Sequence, residues 1–300
     1  MKITILGNNS ALPAYDRYPT CQIVSIDGTL IMVDCGEAAQ VLLKKHGIGW
    51  RKIKYVFISH LHGDHYFGLP GFLNSMSLLG RTEPLFLYAP KELQSIIQSI
   101  LDVANTTLSY PLNFVELKED GGVLADTTLL NLQSFPVEHR IFCQGILITE
   151  KSKGRKLLPE RCRYYEIPAA YYKQLKAGED YEKKDGTIVK NEWVTEQGKT
   201  DKRYAYCADT IFTDSFLHHI NDADIIYHES TYLESDADRA ASRFHSTAKQ
   251  AAEIALKAKA DKLILGHYSS KYKSVVEFEE EARSVFPESY ASKEGDEFEI

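Results

Sequence analysis

No two cysteines in this sequence are spaced C-x-x-C, and their number is odd: Cys21, Cys35, Cys143, Cys162 and Cys207. That pattern speaks against a disulfide framework and a cysteine zinc site. The expected setting is a reducing compartment, the cytoplasm, with these thiols acting mostly as small buried hydrophobes. Long apolar runs are also missing. The longest stretches without charge, such as Phe67 to Gly80, are too short to span a bilayer as a helix. The first residues, Met1-Lys2-Ile3-Thr4-Ile5-Leu6-Gly7, read as a strand entering a turn, without the apolar core or cleavage site of a signal peptide. There is no internal repeat and no low-complexity tract. Hydrophobic residues make up 44% and charged residues 26%, which excludes disorder for the bulk of the chain because enough apolar surface exists to offset chain entropy.

What is present is unevenly charged. The net charge of −7 speaks against general nucleic-acid binding. Yet Lys151 to Arg203 holds 14 Lys+Arg against 9 Asp+Glu, a local +5 that leaves −12 on the rest. A basic segment on an acidic body is either a phosphate-contacting element or a solvated insertion. The 300 residues otherwise alternate short β-rich runs with helical stretches. Strands are expected at Lys2–Leu6, Ile23–Ile26, Leu30–Val33, Tyr55–Ser59, Leu85–Tyr88, Phe114–Leu117, Leu129–Val137, Gly145–Thr149, Tyr204–Cys207, Ile225–Tyr227 and Leu263–Leu265. Helices are expected over Glu37–His46, Leu69–Leu79, Lys91–Ala104 and about Ser246 to Lys259, the last with Ala251, Ile254, Ala255 and Ala258 on one face. The expected organisation is a single α/β domain over 1–300 with 151–203 inserted. That insertion protrudes rather than folding separately, and has a hairpin turn at Lys184-Asp185-Gly186-Thr187.

The densest chemistry is His60-Leu61-His62-Gly63-Asp64-His65, four potential metal ligands within six residues just beyond an apolar strand. Imidazole suits zinc, and the carboxylate adds charge neutralisation. Three further polar residues also end apolar runs. His139 follows Pro136-Val137-Glu138, Asp209 follows Tyr206-Cys207-Ala208, and His267 follows Leu265-Gly266. Each alone is commonplace. Their repetition beyond strand carboxyl ends, where α/β sheets gather ligands, points to one joint site.

With its later His, Asp and His, the H-x-H-x-D-H pattern resembles metallo-β-lactamase-fold hydrolases, and further motifs narrow the resemblance to ribonuclease Z, the tRNA 3′-processing endonucleases. Val33-Asp34-Cys35-Gly36-Glu37, Gly68-Leu69-Pro70-Gly71-Phe72-Leu73, His228-Glu229-Ser230-Thr231, His245-Ser246-Thr247 and His267 followed by Ser269-Ser270-Lys271-Tyr272 are similar to that family's signatures, in order and over nearly the whole chain. The resemblance implies a four-layer αββα sandwich. It also implies two metal ions, zinc favoured: one held by His60, His62 and His139, the other by Asp64, His65 and His267, with Asp209 bridging. Asp64 is implied as acceptor of the attacking water's proton. His245, oriented by Glu229, is the candidate donor to the leaving 3′ oxygen, the competing reading being that His245 or Ser246 only caps the following helix. Precursor tRNA is the implied substrate, a homodimer the implied assembly, and 151–203 the implied tRNA-binding arm. Arg17 and Lys271 are candidate substrate contacts.

Departures from the family pattern are equally visible. The substrate loop, usually Pro-x-Lys-x-Arg-Asn, reads Pro13-Ala14-Tyr15-Asp16-Arg17-Tyr18, and the arm's Gly-Pro-rich motif is replaced by Ile167-Pro168-Ala169-Ala170-Tyr171-Tyr172. Two other functions compete: hydrolysis of a small ester, thioester or lactam on the same fold, and a non-catalytic RNA-binding subunit. The basic insertion and Leu69-Pro70-Gly71 speak against the first, and the intact ligand set speaks against the second.

Overall fold

A computed structural model describes residues 1–300. Two seven-stranded sheets face each other. The first is built from β1 (Lys2–Gly7), β2 (Cys21–Ile26), β3 (Thr29–Cys35), β4 (Ile53–Phe57), β5 (Leu85–Ala89) and β6 (Leu112–Glu116). The second takes β7 (Gly122–Asp126), β8 (Leu130–Pro136) and β9 (Gln144–Glu150). The insertion supplies four two-residue strands, β10 (Lys156–Leu157), β11 (Tyr181–Glu182), β12 (Ile188–Val189) and β13 (Thr195–Glu196). The second sheet resumes with β14 (Lys202–Cys207), β15 (Ile225–Glu229), β16 (Lys262–Gly266) and β17 (Ser289–Ala291), and β18 (Glu297–Glu299) returns to the first. The strand orders are β18-β1-β2-β3-β4-β5-β6 and β17-β16-β15-β14-β9-β8-β7.

Period-two alternation builds the layers. On β1 to β3, Ile3, Ile5, Val24, Ile31 and Val33 fill the space between the sheets. Their alternates Ile23, Leu30 and Met32 pack outward, against helices Ala39–Lys45, Leu69–Leu78 and Glu92–Val103. Behind the second sheet lie helices Ala248–Lys257 and Val276–Arg283. Ala251, Ile254, Ala255 and Ala258 are all fully buried, the face expected from their spacing. The first of these helices starts at a capping box in which Thr247 and Gln250 satisfy each other's backbone N–H. Thr247 is therefore the cap, and neither His245 nor Ser246 is needed for it. The final 25 residues carry no strong periodic signal, yet supply one helix and β17 and β18. β18 pairs antiparallel with β1, Lys2 opposite Glu299.

The parallel block β14 to β17 sends its carboxyl ends to one rim of the sandwich. The insertion leaves from the other rim, between Glu150 at the end of β9 and Lys202 at the start of β14, which pair opposite each other. The expected hairpin is present: Asp185 accepts the Thr187 N–H at 2.9 Å, and Gly186 takes the left-handed φ of 86° that the turn requires. The segment is more organised than its sequence suggests. Cys162, Ile167, Leu175, Val189 and Val194 form a small core of their own. Each comes from a different short element or loop, so no periodicity could reveal them.

Leu175 is fully buried in that core, so Leu175→Ala should loosen the segment by about 2–5 kcal/mol. Limited proteolysis should then cut within 151–203 while the main thermal transition stays in place. A matching fall of the main transition would show that segment and sandwich fold as one unit.

Candidate metal centre

The rim that collects the strand ends also collects the expected ligands. His60, His62 and His65 follow β4, His139 follows β8, and Asp209 and His267 follow β14 and β16. Donor atoms of His60, His62, His139 and Asp209 lie within 4.8 Å of one another, as do those of Asp64, His65 and His267. His62 Nδ1 is 3.0 Å from His60 Nε2 and 3.2 Å from His139 Nε2. His65 Nε2 is 3.3 Å from His267 Nε2. Asp209 sits between the groups, its Oδ2 3.6 Å from His60 Nε2 and its Oδ1 3.2 Å from His267 Nε2 and 3.6 Å from His65 Nε2. Asp64 Oδ2 is 3.3 Å from His267 Nε2 and accepts the Ala11 N–H at 2.7 Å.

Partners behind the rings fix which nitrogen faces inward. His139 Nδ1 donates to the Phe244 carbonyl at 2.9 Å, which leaves its Nε2 lone pair in the cluster. His65 Nδ1 lies 2.8 Å from Asp34 Oδ2. Thr231 Oγ1 donates to Glu229 at 2.7 Å and so accepts from His267 Nδ1 at 2.9 Å, again turning Nε2 inward. Ring nitrogens and carboxylate oxygens thus face one another in a largely buried space. Asp209 Oδ1 there has no hydrogen-bond partner. Such a convergence of imidazole nitrogens and carboxylate oxygens has the composition and spacing of a divalent-metal ligand set.

The titration tendencies follow from the crowding. Burial, reinforced by His65 and opposed by Asp209, holds His60 well below the ordinary histidine range. Burial and then His139 bring His62 down to about 4. At His65 burial is overcome by Asp209, Asp64 and Asp34, which raise it well above the usual value. At Asp209 the burial penalty is overcome by His267 and His65, and the carboxyl is held well below its usual range. A cation would supply the same compensation to every ligand at once.

Next to the cluster lies a second pair. Glu229 is fully buried and accepts four hydrogen bonds, from the Thr210 N–H, the Thr231 N–H and hydroxyl, and His245 Nδ1 at 2.8 Å. Burial acts to lower His245, but Glu229 and then Asp209 raise it to about 9. His245 lines a cleft of about 650 Å³ over the cluster, shared with Asp64, His62, Asp209 and His267. Four cations, Arg140, Arg239, Arg243 and Lys271, line the same cleft. A larger cleft of about 700 Å³ lies at the root of the insertion, at the opposite rim, and contains none of these residues.

Two expected substrate contacts are otherwise engaged. Arg17 does not line the cleft: its guanidinium donates to Asn9 Oδ1 and to the Tyr272 and Lys273 carbonyls, tying the 14–18 loop to the segment after His267. Lys271 does line it, but its ammonium is paired with Asp236 at 2.6 Å. His228 is buried beside Phe216 and stays outside the cluster.

Other residues matter more than sequence reasoning assigned. Asp34 accepts the Ser59 N–H at 2.8 Å, the Ser59 hydroxyl at 3.0 Å and the Tyr206 hydroxyl at 2.6 Å, besides facing His65. Both Asp34 (φ 56°) and His267 (φ 62°) adopt left-handed backbone, costly for non-glycine residues and held by the surrounding bonds. The glycines of two motifs explain themselves as close approaches. A Cβ on Gly36 would stand 2.5 Å from the Asp64 carbonyl oxygen, and one on Gly68 would stand 2.2 Å from the Gly36 carbonyl oxygen. The 34–36 turn and the ligand loop can touch only without those carbons.

The architecture matches metallo-β-lactamase-fold structures. Over 100% of this chain and 99% of its own, the short form of human tRNase Z superposes with a TM-score of 0.73 at 22% identity. The metallo-beta-lactamase fold protein YhfI from Bacillus subtilis gives 0.70 at 18%, covering 99% and 98%. In sequence, the ribonuclease Z of Parabacteroides distasonis is 40% identical over 98% of this chain and 97% of its own length. That of Cytophaga hutchinsonii is 41% identical over 99% and 95%. The family description "Anti-Pycsar protein Apyc1" matches residues 1–141, ending before Asp209, His245 and His267. The chain belongs to the ribonuclease Z family.

Because Asp34 turns His65 toward the cluster, Asp34→Asn should lower metal affinity roughly 10- to 100-fold with the fold intact. Competition against a metal-binding chromophore measures this directly. An unchanged affinity would mean that Ser59 and packing alone orient the ring.

Proposed function

We propose that this chain is a zinc-dependent endoribonuclease that removes the 3′ trailer from precursor tRNA and leaves a 3′-hydroxyl on the tRNA. The observation that carries the reading is the convergence of Asp64, Asp209 and five inward-facing histidines beside the His245–Glu229 pair, in a chain similar to ribonucleases Z over nearly its full length. His60, His62 and His139 would hold one zinc ion, Asp64, His65 and His267 a second, with Asp209 shared. When bound, the pair supplies Lewis-acid polarisation of a phosphodiester and a lowered pKa for the attacking water.

The chain's own groups do the rest. Asp64 accepts the water's proton. The leaving 3′ oxygen needs a proton in return, and His245 is placed to give it: Glu229 holds Nδ1, which leaves Nε2 to donate. Arg140, Arg239 and Arg243 neutralise phosphates entering the cleft, and Lys271 joins them on release from Asp236. Residues 151–203, with a local +5, form the arm that grips the tRNA body. The arm springs from the rim opposite the ligands. An RNA gripped by one chain's arm is therefore best presented to a second chain's site, which supports a homodimer. Five unpaired cysteines fit work in the cytoplasm.

Assay of a precursor tRNA tests the reading. Asp64→Ala should abolish cleavage, and His245→Ala should slow it roughly 10²–10⁴-fold with metal content unchanged. The His245 effect should shrink on a phosphodiester with an acidic leaving group, which needs no proton. Equal loss on both substrates would assign His245 to structure instead. Replacing 151–203 by a short Gly/Ser linker should spare the small phosphodiester and collapse tRNA binding and its salt dependence. Full activity of the linker variant on tRNA would remove the arm from the account.

A further inference from the structure

Three aromatic side chains of the insertion form one continuous surface. Tyr165 stacks on Trp193 with ring centroids 5.9 Å apart and planes 28° apart, and Tyr164 meets Tyr165 edge-on at 5.0 Å. Tyr165 covers the segment's small core. That core gives no reason for its neighbours to stand in water, yet Tyr164 is 76% exposed and Trp193 44% exposed. Arg161 lies three and four residues before Tyr164 and Tyr165, so it shares their side of helix Pro159–Tyr164, while Cys162 turns into the core. Five of the segment's ten lysines are paired with acids, among them Lys153 with Asp27, Lys156 with Glu196 and Lys190 with Asp180. Arg161 and Arg163 are exposed and enter no ion pair. Glu160, Glu166 and Glu192 flank the patch, but the segment as a whole remains +5.

Exposed rings beside unpaired guanidinium groups suit a nucleic acid that can offer free base faces. A duplex buries its base faces in its own stack and presents only phosphates and groove edges. We propose that Tyr164, Tyr165 and Trp193 are a stacking platform for unpaired RNA bases, with Arg161 and Arg163 at the flanking phosphates. This rests on the reading of the segment as an RNA-gripping arm. It specifies what the arm recognises: looped-out or single-stranded bases rather than duplex backbone. The platform stands beside the place where the family's Gly-Pro-rich motif is replaced by Pro168-Ala169-Ala170-Tyr171-Tyr172, so this arm has its own means of holding RNA.

The chain has two tryptophans, and Trp50 packs near Phe72 on the body. In the full-length Trp50→Phe protein, fluorescence reports Trp193 alone. The probes are a single-stranded RNA of about ten nucleotides and a blunt RNA duplex carrying the same number of phosphates. The single strand should quench Trp193, and the duplex should not. Tyr164→Ala, at an exposed position, should weaken single-strand binding about ten-fold without changing its salt dependence. Arg161→Gln with Arg163→Gln should instead flatten the salt dependence. Equal quenching by strand and duplex, absence of quenching, or unchanged affinity in Tyr164→Ala would overturn the platform. Absence of quenching together with lost tRNA binding in the linker variant would overturn the platform and leave the arm's grip on RNA standing.

Discussion

Like-natured donors held face to face set the terms for this protein. Five imidazoles and two carboxylates converge at one rim, with nitrogens of neighbouring rings 3.0–3.3 Å apart. In water such groups would separate. Here the backbone holds them together, an arrangement that fits a divalent cation, and the surrounding residues fix which ring atoms face inward. Asp34, Thr231 and the Phe244 carbonyl each occupy the far side of one ring. Left-handed backbone at Asp34 and His267, and the missing Cβ atoms of Gly36 and Gly68, are what it takes to bring four strand ends this close.

The same arrangement ties the ligands to the neighbouring His245–Glu229 pair. Thr231 donates to Glu229 and accepts from His267, so one hydroxyl links the cluster to the His245–Glu229 pair. Glu229 is buried with all four of its hydrogen bonds made, and its charge is sustained by His245. The opposite rim is free of these demands. There the chain departs into a segment with its own small core and its own charge, joined to the body through Glu150 and Lys202. The ligand cluster and the inserted segment thus lie at opposite ends of the same strands.

Much of this was legible in the sequence because strands end where ligands begin. Each of His60, His139, Asp209 and His267 follows an apolar run, and the structure gathers all four. The face of Ala251, Ile254, Ala255 and Ala258 was legible for the same reason, a regular period against a sheet. The supporting residues were not. Asp34 and Thr231 sit inside motifs, but only three-dimensional pairing shows which ring each one holds. The insertion's core takes roughly one residue from each very short element, which leaves no period to read. Arg17 was expected at the substrate from its place in the loop that resembles the family's motif, and three protein acceptors engage it here.

The account stands or falls on whether the crowded donors are compensated by metal. Elemental analysis of the purified, zinc-supplemented protein after removal of free metal measures this directly. The account predicts two zinc ions per chain, matching the two donor groups that share Asp209. One tightly held ion, or none, would contradict it.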